Sequence, residues 1–106
     1  MDMKIVIRGT EDTANLRSFA EDKVTKSLER FQQSILNVTV RLEDVTGPDR
    51  RGVDKQCSIE VKLRTGDVRV KEQGEDFRAT INTTLDRLKA TLSRKVGKAK
   101  RGIGEG

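Results

Sequence analysis

Seven basic residues and no acid occupy the stretch from Arg87 to Gly104: Arg87, Lys89, Arg94, Lys95, Lys98, Lys100 and Arg101. The rest of the chain holds the other 15 basic residues against all 17 acids, so the whole positive excess sits here. Charge gathered in this way suits a polyanion, either nucleic acid or an anionic membrane surface. At 100° per residue, Arg87, Arg94, Lys98 and Arg101 would fall within about 60° of one another on a helix. A spaced row of this kind can track a phosphate backbone. A solvated helix face would carry the same residues. Lys23, Lys26 and Arg30 form a second, shorter row, interleaved with Glu21, Asp22 and Glu29. Alone, that row is explained by i,i+4 pairing. Beside the first, it could present both to one groove.

Other chemistry finds little material. The chain has no histidine and one cysteine, Cys57, which excludes a disulfide framework and the usual zinc sites. Cys57 falls on the apolar side of its segment, as a small buried thiol does. Three phenylalanines and no Trp or Tyr argue against binding by base stacking. No nucleophile elbow, P-loop or dinucleotide fingerprint is present. GPDRRG (47–52) reads as a hairpin tip before an anion nest. The expectation is a binding protein, not an enzyme, with no cofactor, no metal and no small-molecule substrate.

The elements that must position these residues follow from periodicity. Met3, Ile5 and Ile7 alternate in a first strand (3–8) ended by Gly9. Asp12 or Thr13 can cap a helix over 13–32, with Leu16, Phe19, Ala20, Val24, Ser27, Leu28 and Phe31 at helical spacing. Leu36, Val38, Val40 and Leu42 alternate in a second strand; Cys57, Ile59, Val61 and Leu63 in a third; Val68 and Val70 in a fourth. Residues 46–54 form the loop between the second and third, and Thr65-Gly66 a tight turn. Asp76 can cap a last helix whose core positions are Phe77, Ile81, Leu85, Leu88, Leu92 and Val96. Gly97, Gly102, Gly104 and Gly106 end it, so residues 102–106 are expected to be a flexible tail behind a single domain of residues 1–101.

The fold class is therefore α+β, in the order β-α-β-β-β-α. One four-stranded sheet should carry two helices on one face. The opposite face would hold Arg41, Glu43, Glu60, Lys62, Arg69 and Lys71, a mixed-charge surface suited to solvent. At 106 residues there is room for one domain. The net charge is +5 and 37% of residues are charged, so the core should be thin. No run is long enough for a membrane span and MDMKIVIRGT is not a signal peptide, so a cytoplasmic protein is expected.

Three stretches resemble the ribosome hibernation-promoting factors, also described as ribosome-associated inhibitor or sigma-54 modulation proteins. They are NLRSFAEDKVTKSLERF (15–31), GPDRRGVDKQCSIEVKL (47–63) and GEDFRATINTTLDRLKATLSRK (74–95). The likeness covers about residues 3–101, and with no second domain it is to the short form. It implies the same β-α-β-β-β-α fold, close to the double-stranded-RNA-binding arrangement. It also implies a translation inhibitor on the small ribosomal subunit that contacts rRNA and occludes the messenger and tRNA path, and is monomeric off the ribosome. By position, Lys23, Lys26, Arg30, Arg87, Lys89 and Arg94 carry over as rRNA contacts. Lys95, Lys98 and Arg101 join them from the basic run. One departure is Arg78, where the family often has an aromatic residue. The other readings are a protein-interaction regulator of transcription and a general RNA-binding module.

Overall fold

The computed structural model describes residues 1–11, 13–45 and 54–104, the last eight in backbone only. The order is β1 (Asp2–Arg8), α1 (Thr13–Leu28), a 3₁₀ turn (Glu29–Ser34), β2 (Ile35–Asp44), β3 (Lys55–Leu63), β4 (Gly66–Gly74) and α2 (Phe77–Gly104). The strands lie in one sheet in the order β1-β2-β3-β4, with β1 parallel to β2 and the other pairs antiparallel. This is the α+β architecture expected from the periodicities. Because β4 runs in the same direction as β2, the helices that return after β1 and β4 run parallel to each other.

One core joins the sheet to both helices. Leu16, Ala20, Val24 and Leu28 from α1 meet Val38, Val40, Leu42, Cys57, Ile59 and Val61 from the sheet, all nearly solvent-free. From α2 come Phe77, Ile81, Leu85, Leu88 and Leu92, the apolar stripe already visible in the sequence. Asp76 caps α2: its Oδ2 accepts from the Ala79 backbone N–H at 2.9 Å. The opposite sheet face is solvated, with Arg41, Glu43, Lys62, Arg69 and Lys71 exposed and Glu60 half-buried opposite Arg69.

Three boundaries differ from the sequence expectation. The first helix does not stay α-helical to residue 32 but tightens into a 3₁₀ turn after Leu28. Side chains three apart eclipse in a 3₁₀ turn, which lets Phe31 follow Leu28 into the core. Leu36 is 47% exposed, whereas Ile35 is buried, because the β2–β3 register shifts between Ile35 and Asn37. The last helix does not end near residue 96. Its backbone continues through Gly102 to Gly104, so the stretch expected to be irregular is helical. Gly97 costs about 1 kcal/mol there, but Lys98, Ala99, Lys100 and Arg101 are strong helix formers.

Asp12, one of the two candidate caps, and residues 46–53, including all of GPDRRG, lie outside the described residues. The loop's base is closed by a backbone bond from Val45 N–H to the Asp54 carbonyl, 2.8 Å. Lys55 clasps it from beneath, 2.8 Å from Asp54 and 2.9 Å from Asp44. These hydrogen bonds, that to Asp54 first, raise the Lys55 pKa above its ordinary 10.5.

Candidate nucleic-acid interface

The two parallel helices leave a groove between them. Phe19 meets Arg78 near their starts, and Arg30 donates to the Ser93 hydroxyl further along. Around that second contact, Lys26, Ser27, Glu29 and Arg30 face Lys89, Ala90 and Ser93 across an open groove of about 580 Å³. Three of the nine cations singled out in the sequence thus share one groove: Lys26, Arg30 and Lys89. Lys23 stands beside it, its ammonium 5.8 Å from the centre of the Phe19 ring.

The ridge expected on α2 does not open onto that groove. Arg87 is turned to the opposite flank, where its guanidinium meets Glu72 of β4 at 2.9 Å. Residues 87 and 89 are about 200° apart on the helix, so they cannot share a flank. Arg94, seven residues beyond Arg87, falls within about 20° of it and is exposed. Lys95 is exposed and near the β3–β4 turn, 3.8 Å from where a Cβ on Gly66 would stand. At Lys98 and Arg101 the backbone is helical, as the ridge requires, but their side chains lie outside the described residues. The cations therefore form two sets, one in the inter-helix groove and one along the β4 side of α2.

The existing ion pairs leave these cations free to exchange partners. Lys26 meets Asp22 at 3.3 Å with both side chains more than half exposed. Lys89 meets Asp86 at 3.8 Å, again at the surface. Such pairs contribute about 0–1 kcal/mol, little enough for a phosphate to displace the acid. None of the three phenylalanines is exposed: Phe19 is partly buried and Phe31 and Phe77 are buried. Each carries a cation: Arg78 and Lys23 on Phe19, Arg30 on Phe31 and Lys55 on Phe77. The rings hold cations, and none is exposed for a base to stack on. Arg78, set apart in the sequence only as a departure, lies outside that groove, beside Thr10, Leu16 and Lys55. It comes eleven residues before Lys89 and so falls within about 20° of it, on the same flank of α2, and that spacing was its signal.

Nothing else among the described residues gathers reactive groups. Among the described residues no three His, Cys, Asp or Glu side chains cluster to hold a metal ion. Cys57 is fully buried, and desolvation pushes its thiol from an ordinary 9.0 up to about 11, against a smaller opposing pull from Thr84. No helix among the described residues is long and apolar enough to cross a membrane.

Comparison with known proteins places this geometry. The chain is similar to a ribosomal subunit interface protein from Coxiella burnetii, with a TM-score of 0.72 and 19% identity, over 92% of this chain and 99% of that one. It is also similar to the N-terminal domain of Protein Y from Thermus thermophilus, with a TM-score of 0.69 and 28% identity, over 89% and 98%. No curated protein sequence matches it. Residues 3–100 match the family described as "Sigma 54 modulation protein / S30EA ribosomal protein". With a match of that extent, on a sheet and helix pair of the same topology, the chain belongs to that family, the one that includes the hibernation-promoting factors.

Proposed function

We propose that the protein binds the small ribosomal subunit through rRNA and blocks translation by occupying the messenger and tRNA path. The observation that carries this reading is the groove in which Lys26, Arg30 and Lys89 converge from two helices. Family membership supports the ribosome as its location. So does the solved structure described as a ribosomal subunit interface protein, whose fold this chain shares. The chemistry favours phosphate: cations with weakly held partners, and aromatic rings engaged inside the protein. Arg87, Arg94, Lys95, Lys98 and Arg101 would meet a separate stretch of backbone along the other flank of α2. Lys23 would extend the groove set.

The test is sedimentation of tagged protein from resting cells through a sucrose gradient. Protein in the small-subunit or whole-ribosome fractions is the expected result; protein confined to the top of the gradient would refute it. A regulator of transcription, the other activity in the family's description, would act through protein contact. It would stay off ribosomes, and its binding would respond weakly to salt.

A further inference from the structure

Two guanidinium groups stand along the seam between α1 and α2, one near its start and one in the inter-helix groove, and both are held in the same way. Near the start of the helices, the Arg78 guanidinium of α2 lies 5.1 Å from the centre of the Phe19 ring of α1. At the far end, the Arg30 guanidinium lies 4.6 Å from the centre of the Phe31 ring. Arg30 is also bonded to Ser93 across the groove. Both arginines are exposed, whereas Phe31 is buried and Phe19 is packed against the core. The rings are therefore rigid supports and the cations are presented to solvent. The lysines between them, Lys26 and Lys89, have only surface acids for partners.

We infer that Arg78 and Arg30 are two preorganised phosphate clamps that set the position of one RNA strand along the seam between α1 and α2, with Phe19, Phe31 and Ser93 as their positioning residues. This rests on the RNA-binding reading above and goes beyond it: Arg78 becomes a contact, and the grip becomes specific to guanidinium. The planar fork of arginine meets two phosphate oxygens at once, which a lysine ammonium cannot do. A ring beneath the fork removes much of the freedom that binding would otherwise have to freeze. Phe19 and Phe31 are 12 residues apart in sequence, so the clamps are separated by about 18–20 Å. That span takes in several consecutive nucleotides, with Lys26 and Lys89 between the ends.

The experiment measures binding of full-length protein to purified small subunits across a salt series. The variants are Arg78→Met, Arg78→Lys and Phe19→Leu, with Arg69→Met on the opposite sheet face as control. Thermal melting verifies that each variant is folded. Arg78→Met should weaken binding roughly tenfold and lower the slope of log K against log salt by about 1. Arg78→Lys and Phe19→Leu should also weaken it several-fold although neither changes the charge, and Arg69→Met should match wild type. Wild-type affinity and slope in Arg78→Met would overturn the clamp. So would loss in Arg78→Met with wild-type binding in both charge-preserving variants, since charge alone would then suffice. An equal loss in Arg69→Met would overturn it as well. Failure of wild-type protein to bind at all would instead overturn the RNA-binding reading, and the clamps with it.

Discussion

Cys57 and the groove cations sit at opposite extremes of solvent contact, and each has a consequence that one substitution or one reagent can read. The Cys57 thiol is buried between β3 and α2 with its pKa raised to about 11, so thiolate is scarce and access is closed. Thiol reagents at pH 8 should leave native protein unmodified and label it fully in denaturant; rapid native labelling, read by intact mass, would contradict the burial. Alkaline stability follows from the same shift. An unfolded chain gives up this proton near 9 and the native one near 11, so the unfolded state holds fewer protons between them. Stability is full below about pH 9 and falls as pH rises toward 11, by about 3 kcal/mol at most from this group. At the surface, Lys26, Arg30 and Lys89 line the groove without entering the core. Reversing all three to Glu should cost roughly a hundredfold in ribosome binding and leave the melting temperature within a few degrees of wild type. A folded triple variant that still co-sediments would remove the groove from the interface. The sequence made the charge of these residues plain. Helical spacing puts Arg87 and Lys89, two positions apart, on opposite flanks of α2, but nothing in it says which flank faces α1.

Each element was legible where one periodicity ruled it, and obscure where two constraints met. The stripe from Phe77 to Leu92 and the alternation in β3 map directly onto the core. Leu36 broke the pattern because alternation assumes an unbroken ladder, and the shift at Ile35/Asn37 exchanges which residue points inward. The 3₁₀ turn was hidden because Phe31 fits both helical spacings. Gly97 suggested an end because it breaks a pattern of good formers, yet the formers on either side carry the helix past it. Gly9 is the opposite case, a glycine whose place would strain any other residue. It has φ +79, and a Cβ there would stand 2.7 Å from the Asp44 carbonyl oxygen of β2. This tight passage lets β1 turn toward α1 beside the end of β2. Gly9→Ala should destabilise the fold by about 1–3 kcal/mol, visible as a lower urea midpoint with an unchanged slope. A midpoint equal to wild type would mean the chain reaches α1 by another path.

As a whole, the molecule measures 54 × 26 × 18 Å, with the long dimension set by α2. It brings two basic flanks of that helix to bear at once, one toward α1 and one toward β4. In the proposed function such a body would stop translation by filling space that messenger and tRNA need. Occupancy of that kind has a thermodynamic signature. If protein and initiator tRNA contest the same rRNA phosphates, each must weaken the other by the same factor, because coupling between two binding equilibria is reciprocal. Titrating protein onto small subunits that hold messenger and labelled initiator tRNA should therefore displace the tRNA completely. Titrating tRNA against bound protein should displace the protein with the same coupling factor. The competition should shift with ionic strength if the protein's hold is built on phosphate contacts, as proposed. A saturating level of protein that leaves tRNA bound at undiminished affinity, with both on the same subunit, would rule out occlusion. The proposed RNA contacts of the groove would survive that result, and inhibition would then have to arise at a site away from the tRNA path.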